Sequence, residues 1–374
     1  MGNLRFVHWF SYFGPELPSV RYRAVHPLRE LASRGVRHRI VFPGYSPVKM
    51  ARFIHAWTIA LFAPGKGSVI VVQRLYTRGL YATALKVLVF FRSTRTVYDI
   101  DDAEYMERHP STIQFFMHHC ALVTVGSEAL RRYASRYNPN VHLLTSPIPR
   151  HRAKKEDRAR VLTIGWIGCC WGTHRGNLDA LFFPALQQLS IPLRVVVLGI
   201  RDPRDELSIR DRFIDHPNIQ FEFPHITDWN DEEHVHSLLA HVDIGVAPLR
   251  DSEINRCKSA FKVKQFLSCG VPVLASPIGE NSRFVDHGRN GFLCADVVAF
   301  REGIARFAAM EDPEYNHMSA SARRSTASFD LVNYCNEFME VTGALLLRNG
   351  ALTDQNVEVG QPAEQIPAIA EMQV

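Results

Sequence analysis

The chain has 374 residues, enough for two ordinary domains, and its 46% hydrophobic and 22% charged residues are typical of a globular protein. Its seven cysteines include no CxxC pair, so they indicate neither a zinc site nor a disulfide framework and favour a reduced cytosol. No N-terminal stretch has the pattern of a signal peptide, and no apolar run reaches the roughly 18 residues needed to span a bilayer. We therefore expect a cytoplasmic protein.

The net charge of +5 hides two halves of opposite sign. Residues 1–155 hold 23 Lys and Arg against 8 Asp and Glu, whereas residues 156–374 hold 20 against 30. A basic half attracts anions such as phospholipid, a phosphorylated acceptor or nucleic acid. Because no aromatic-interleaved basic motif is present, we do not expect nucleic acid. We predict contact with an anionic membrane surface, at the cytoplasmic face of the inner membrane, with a solvated basic surface as the alternative.

Strand-like and helix-like stretches alternate along the basic half. Apolar runs predict strands at 4–9, 38–42, 69–72, 96–100, 121–125 and 141–144. Between the first two, Val25, Leu28 and Leu31 follow helical spacing, and Gly35 is a typical helix stop. The alternation predicts parallel βαβ units with right-handed crossovers.

The charged segment RHRAKKEDRAR (150–160) lacks apolar periodicity and predicts a linker. A second series of strands follows at 161–167, 193–199, 219–223, 242–249 and 271–276. We therefore predict an α/β protein with one domain at 1–155 and another at 156–329. The tail at 349–374, rich in Gln, Glu, Pro and Ala, is expected to be disordered.

The loops after the strands are the first candidates for a site, because open parallel sheets bind ligands at the carboxyl ends of their strands. GCCWGTHRGN (168–177) follows one predicted strand and opens a helix. Free N–H groups at such a position, and an arginine fork, favour phosphate, although the loop matches neither the P-loop nor GxGxxG. The candidate ligands here are Gly168, Thr173, His174 and Arg175.

The stretch KSAFKVKQFLSCGVPVLASP (258–277) places lysines directly before a predicted buried strand. In a helix, Lys258 and Lys262 lie four residues apart and share a face. If that face looks into a cleft, the two cations favour an anion, and we infer a diphosphate. The alternative is a solvent-exposed helix face rich in lysine.

This stretch, with HVDIGVAPL before it and IGENSRFVDHGRNGFL after it, resembles the nucleotide-binding core of family 4 glycosyltransferases of the GT-B fold. An Asp-Ile strand ending in Pro, the K-x-x-x-K segment, the G-x-P-V strand, a Gly-containing turn and G-x-N-G-F-L follow in the same order over 241–294. The resemblance implies two Rossmann-like doubly wound domains that face each other across a cleft, with a C-terminal helix at 330–348 returning to the first domain.

The chain departs from the family at two positions. Many members carry Glu-x7-Glu where this sequence has Cys257 and Gln265. Gln265 can still hydrogen-bond a ribose hydroxyl, but Cys257 cannot replace a carboxylate near the donor sugar. Glu253 lies one turn upstream and could compensate.

The resemblance implies transfer of a hexosyl group from a nucleotide-diphosphate sugar to a saccharide or lipid-linked acceptor, in the synthesis of cell-surface polysaccharide or glycoconjugate. By family analogy the reaction retains the anomeric configuration and uses neither a metal nor another cofactor. Donors fixed on the leaving diphosphate give the largest help to this chemistry. The implied diphosphate ligands are Lys258, Lys262 and Arg175.

Other positions carry expectations for the donor and the acceptor. The backbone N–H groups of Gly279, Glu280 and Asn281 are expected near the sugar hydroxyls. His225 and Ile226 are expected at the base, Arg21 and Arg23 at the acceptor. Asp101 or Asp102 would orient the acceptor hydroxyl.

Three alternatives stay open. Asp99-x-Asp101 has the form of a metal-binding DxD, although paired carboxylates are often capping or salt-bridged groups. The chain could instead be a nucleotide-sugar epimerase on a related scaffold. It could also be a catalytically silent relative that binds a nucleotide or stabilises a partner enzyme, which the departures at Cys257 and Gln265 favour.

Overall fold

The computed structural model describes residues 4–44, 46–106, 109–148, 151–155 and 157–358. Within these residues the strands form two separate six-stranded parallel sheets, which confirms the predicted α/β class with two doubly wound domains. The exact domain bounds stay predictions.

The first sheet has the strand order β2-β1-β3-β4-β5-β6. Its strands are β1 Phe6–Ser11, β2 Arg37–Val41, β3 Ser68–Gln73, β4 Thr96–Ile100, β5 Leu122–Val125 and β6 Val141–Leu143. The central strand β3, SVIVVQ, is buried along its whole length, as expected for a strand with helices on both faces. The order reverses between β1 and β3, so this domain's ligand crevice lies at their carboxyl ends.

The second sheet has the order β12-β11-β10-β7-β8-β9, which is the order of Rossmann folds. Its strands are β7 Leu162–Ile167, β8 Leu193–Leu198, β9 Ile219–Glu222, β10 Ile244–Ala247, β11 Val273–Ala275 and β12 Gly291–Leu293. Here the order reverses between β7 and β10. The loop after β7 therefore lies at the crevice, as the sequence predicts.

Helices cover both faces of the sheets. In the first domain they are α1 Pro18–Val20, α2 His26–Ser33, α3 Pro47–Phe62, α4 Leu80–Arg92, α5 Pro110–His119 and α6 Glu128–Ala134. In the second they are α7 Gly172–Asn177, α8 Phe183–Gln187, α9 Pro203–Arg212, α10 Glu232–Ala240, α11 Glu253–Arg256, α12 Phe261–Ser268, α13 Asn281–Phe284, α14 Val297–Ala309 and α15 Asp312–Ser325. π-helical turns join α1 to α2 and α7 to α8.

The last helix, α16 Leu331–Glu358, packs on the first domain. The Tyr334 hydroxyl donates a hydrogen bond to the Arg23 carbonyl oxygen, and Phe338 lies against Trp9. The helix continues past the expected start of the disordered tail at 349, and residues 359–374 lie outside the described part of the chain. No helix among the described residues is long and apolar enough to cross a bilayer.

Candidate active site

Lys262 and Gly168 meet at the switch point of the second sheet. Gly168 follows β7 with φ +145°, and a Cβ built on it would lie 2.6 Å from Lys262 Nζ. The ammonium group lies 4.4 Å from the ring centroid of Trp166, the β7 residue beside it. Glycine is therefore required here, because any side chain would displace the lysine head group.

The charge of Lys262 is not neutralised by the protein. In the described chain no carboxylate lies within ion-pair distance of its Nζ. Burial, followed by the positive charge of Lys258, lowers the pKa of Lys262 to about 7. Lys262 is partly exposed to solvent. A partly buried cation that lacks a counter-ion is costly, so this group is suited to receive an anion from solution.

His174 on α7 lies beside the same cation. The charge of Lys262 and burial lower the pKa of His174 to about 3. The imidazole is therefore neutral at physiological pH and can serve as a hydrogen-bond donor or acceptor. Thr173 precedes it on the same short helix. The predicted loop residues Gly168 and His174 thus lie beside Lys262, and Thr173 stays a prediction.

Arg175, on the same helix, is held away from this group. Its guanidinium donates to the Asp179 carboxylate at 3.0 and 3.1 Å and to Ser208 Oγ at 3.1 Å. The prediction of Arg175 as a diphosphate ligand is therefore not supported, because residues one turn apart in sequence pair with each other first.

Lys258 does not share a helix with Lys262, so that expectation is wrong. The short helix α11 ends at Arg256, and Ala260, with φ +55° and ψ +31°, precedes the first residue of α12, Phe261. The two lysines are nevertheless close enough for the charge of Lys258 to lower the pKa of Lys262. The K-x-x-x-K spacing therefore brings the cations together through a break in the helix.

The partner of Lys258 lies in the other domain. Its Nζ donates to both carboxylate oxygens of Asp102, at 3.0 and 3.1 Å. Burial opposes ionisation of Asp102, but Lys258 and Arg74 lower its pKa overall. Two residues predicted for different substrates, the donor and the acceptor, thus form one ion pair between the facing sheet edges.

Backbone and side-chain groups of the turn at 277–281 form hydrogen bonds within the protein. The Glu280 N–H donates to the Lys258 carbonyl oxygen at 3.1 Å, and the Asn281 N–H to that of Ile278 at 3.4 Å. The Glu280 carboxylate accepts the backbone N–H of Glu128 at the start of α6, at 2.8 Å. The expectation that the N–H groups of Glu280 and Asn281 reach sugar hydroxyls is therefore corrected. Gly279 N–H stays a candidate.

Cys257 and Gln265, the two residues that replace the family's glutamates, lie in different environments. Cys257 is 2% exposed and packs in the apolar core of the first domain, where its Sγ lies 3.5 Å from the Tyr105 hydroxyl. Gln265 is buried on α12. The predicted base contacts follow β9, with His225 exposed and Ile226 buried.

The two arginines predicted for the acceptor are structural. Arg23 is fully buried, and its guanidinium donates to the two Asp99 carboxylate oxygens at 2.5 and 3.0 Å. Arg21 is 4% exposed, and its Nε lies 3.5 Å from Glu232 of the second domain. Neither can contact an acceptor without breaking a buried ion pair, so both predictions are wrong.

The Asp99 pairing also removes the metal-binding interpretation of Asp99-x-Asp101. Besides Arg23, Thr124 Oγ1 and Gln73 Nε2 donate to the same carboxylate. Among the described residues, no group of three or more His, Cys, Asp or Glu is arranged to hold a metal ion.

Sequence reasoning missed a second pair at this edge, Arg74 with Glu104. Arg74 follows β3 at the switch point with φ +51°, a conformation that costs on the order of 1–3 kcal/mol for a residue other than glycine. Its guanidinium contacts Glu104 and lies 3.5 Å from Asp101. Burial raises the pKa of Asp101 and raises that of Glu104 to about 7. The edge can therefore exchange a proton near neutral pH.

Lys264, the third lysine of the motif, holds the domains together. Its Nζ donates to the Ser146 carbonyl oxygen at 2.6 Å and to Thr145 Oγ1 at 3.1 Å. Burial lowers its pKa to about 7, as it does for Lys262. Unlike Lys262, it has hydrogen-bond acceptors within the protein, which gives it a structural role.

Residues 162–309 match the family model described as Glycosyl transferases group 1. The match covers most of the second domain. The matched residues include Gly168, His174, both lysines of the site and the turn at 277–281, so the resemblance found in the sequence is confirmed. No curated protein matches the sequence.

Solved glycosyltransferases share the architecture of the whole chain. A glycosyltransferase from Rickettsia africae superposes with a TM-score of 0.65 at 11% identity, covering 92% of this chain and 99% of that one. HepE of Anabaena in complex with UDP and glucose gives a TM-score of 0.64 at 11% identity, covering 91% and 100%. Sucrose-phosphate synthase from Thermosynechococcus elongatus gives 0.60 at 13%, covering 95% and 100%. The chain therefore has the GT-B fold.

Proposed function

We propose that the chain transfers a hexosyl group from a nucleotide-diphosphate sugar to a saccharide or lipid-linked acceptor. The observation that supports this most is Lys262, a partly buried cation at the switch point of a domain that matches the glycosyl transferase model, with no carboxylate partner among the described residues. HepE, which shares the fold, is described as a complex with UDP and with UDP-glucose. A nucleotide diphosphate is an anion that could supply the missing counter-ion of Lys262.

Lys262 and Lys258 supply the charge stabilisation in this proposal. As the bond between the sugar and the diphosphate breaks, negative charge grows on the leaving group, and fixed cations stabilise it. Lysines acting in this way make the reaction independent of a metal. His174, neutral beside Lys262, would donate a hydrogen bond to the phosphate or a sugar hydroxyl. Retention of configuration rests on the family resemblance.

Asp102 and Asp101 are assigned to the acceptor in this proposal. Asp102 already bridges to Lys258, which supports a position between donor and acceptor. Its lowered pKa keeps it ionised, so it can accept a hydrogen bond from the acceptor hydroxyl and orient it.

A catalytically silent relative is the second candidate, and two observations favour it. The position of the family's first glutamate is Cys257, which is sealed against Tyr105, and Lys258 is neutralised by Asp102. A protein that binds the nucleotide without turning it over would show both features. We place either protein in the cytoplasm, with a role in cell-surface polysaccharide or glycoconjugate synthesis.

A turnover assay decides between these functions. The full chain is incubated with UDP-, GDP- and ADP-sugars, with and without a lipid-linked saccharide, and the released nucleotide diphosphate is measured together with the configuration of the product. Release that depends on the acceptor supports transfer. Nucleotide binding without release supports the silent relative, and a changed sugar without acceptor supports an epimerase. Lys262→Met is the negative control for release.

A further inference from the structure

Exposed apolar side chains concentrate on two neighbouring helices of the first domain. Eight of the fifteen large apolar side chains that are exposed in the described chain lie on α3 and α4. They are Val48, Met50, Ile54, Phe62, Leu80, Val87, Phe90 and Phe91. Clusters of this kind mark an interaction surface more often than a solvated one.

The pattern of α4 is apolar on both faces. Its inner face, Ala82, Leu85, Leu88 and Val89, is buried against the sheet. Its outer stripe includes Leu80, 90% exposed, and Phe90 and Phe91, 66% and 65% exposed. A helix that packs only against its own domain presents polar residues outward, so the outer stripe of α4 has no role in this fold.

The two helices form one surface. Trp57 Nε1 on α3 donates a hydrogen bond to the Ala84 carbonyl oxygen on α4, at 2.8 Å. The rings of Phe53 and Tyr81 lie 4.7 Å apart between the same helices. We call the exposed residues of α3 and α4 the α3–α4 face.

The charge around the α3–α4 face has one sign. Residues 31–98 contain eleven Lys and Arg and no Asp or Glu. Six of these cations lie on or directly beside the two helices, and in the described chain none of the six makes an ion pair. They are Lys49, Arg52, Lys66, Arg78, Lys86 and Arg92. Aromatic and aliphatic groups rimmed by cations without carboxylate partners match the headgroup layer of an anionic bilayer.

The face also has a defined relation to the cleft. In a βα unit the helix starts at the carboxyl edge of the sheet, and α3 and α4 follow β2 and β3. Their N-terminal ends, with Val48 and Leu80, therefore lie on the side of the sheet that carries Arg74 and the candidate site. A bilayer against this face would present a lipid-linked acceptor at the mouth of the cleft.

We propose that the α3–α4 face docks on an anionic phospholipid bilayer, with its aromatic residues in the headgroup layer; the choice of this partner rests on the lipid-linked acceptor of the proposed function. The cations of the basic half do not all belong to this surface. Arg21, Arg23 and Arg74 are buried in ion pairs and cannot reach a membrane, whereas Lys49, Arg52 and Arg78 are exposed.

Vesicle flotation of the full chain tests the proposal. We expect the protein to float with vesicles of phosphatidylglycerol and phosphatidylcholine, to stay behind with phosphatidylcholine alone, and to be released at 1 M salt, where charges are screened within about 3 Å. The double variant Phe90→Ser, Phe91→Ser should lose at least tenfold in bound fraction, and Lys49→Glu, Arg52→Glu a similar amount on anionic vesicles.

A matched control lies on the other domain. Leu207 and Ile214 are 58% and 76% exposed at α9 and just beyond it, and the double variant Leu207→Ser, Ile214→Ser should float like the unchanged protein. Circular dichroism and thermal unfolding check that all variants fold. Three outcomes would each overturn the proposal. The first is an equal loss of flotation in the Phe90, Phe91 variant and the Leu207, Ile214 control. The others are no flotation with anionic vesicles, and a dimer in light scattering that the Phe90, Phe91 variant dissociates.

Flotation needs neither nucleotide nor turnover. A protein that floats through the α3–α4 face but transfers no sugar would leave the docking surface standing and contradict the proposed function. A protein that transfers sugar to soluble acceptors but does not float would support the proposed function and contradict the docking surface.

Discussion

The two facing sheet edges have the same architecture and opposite electrostatics. At the switch point of the second sheet, Lys262 is partly buried and has no carboxylate partner among the described residues. At the switch point of the first sheet, Arg74 contacts Glu104 and Asp101, and Arg23 beside it is paired with Asp99. One edge therefore holds an open positive charge, and the other holds charges that are already balanced.

This difference separates a residue that can bind a ligand from residues that stabilise the fold around the site. A buried ion pair stabilises the fold only while both partners are present. An unpaired buried cation costs folding free energy until an anion arrives. We call the edge with Lys262 the donor edge and the edge with Arg74 and Arg23 the acceptor edge. Nucleotide diphosphate is expected to bind at the donor edge. Mutation at the acceptor edge is expected to lower the free energy of unfolding.

The largest expected effect is at the acceptor edge. Arg23→Ala leaves the Asp99 carboxylate buried without its cation, and should lower the free energy of unfolding by about 3–5 kcal/mol, measured by urea denaturation. Arg175→Ala is the matched control, because Arg175 pairs with Asp179 near the surface, where such pairs contribute about 0–1 kcal/mol. An equal loss of unfolding free energy in Arg23→Ala and Arg175→Ala would show that the Arg23–Asp99 pair contributes no more to stability than a pair near the surface.

A smaller effect is expected from pH at the donor edge. Bound diphosphate should raise the pKa of Lys262 above its value of about 7. Below pH 7 the lysine is charged in both states, so affinity is highest there. Above pH 7 the free protein has lost this proton and must take it up on binding, so affinity falls by up to about tenfold per pH unit.

Calorimetry at pH 8 in two buffers of different ionisation enthalpy measures this proton directly. We expect uptake of up to one proton by the unchanged protein and less by Lys262→Arg, whose guanidinium stays charged. Identical uptake in the two proteins would place the titrating group elsewhere.

The smallest effect concerns the bridge between the edges. Asp102→Asn removes the partner of Lys258 and frees this second lysine for the nucleotide. Because exposed ion pairs contribute about 0.2–1 kcal/mol and this one is only partly buried, UDP binding should tighten by roughly threefold. Weaker binding in titration calorimetry would mean that Asp102 supports the donor site rather than competing with it.

Much of the fold could be predicted from the sequence. The Val- and Ile-rich runs of β3 and β7 have the composition of strands buried on both faces, and the linker follows from its charge. The loop after β7 was predicted as a site from one topological rule, and Gly168 and His174 do lie beside Lys262.

The pairings across the chain could not be predicted. Lys258 and Asp102 are 156 positions apart, and Lys264 and Ser146 are 118 apart; no local pattern links such residues. Nor does the motif show that Ala260 takes a left-handed conformation. The resemblance implied that Arg21 and Arg23 contact the acceptor, and their burial could not be predicted because it depends on partners that only the fold brings near.

The central claim is that Lys262 is the open cation for a nucleotide diphosphate. Titration calorimetry of UDP and of uridine, on the unchanged protein and on Lys262→Met, tests it most directly, with Lys154→Met as a control for an exposed lysine of the linker. GDP and ADP replace UDP if it does not bind. We predict that Lys262→Met weakens UDP binding at least tenfold, leaves uridine binding unchanged, and that Lys154→Met changes neither. Equal weakening of UDP and uridine, or full retention of UDP affinity in Lys262→Met, would contradict the account.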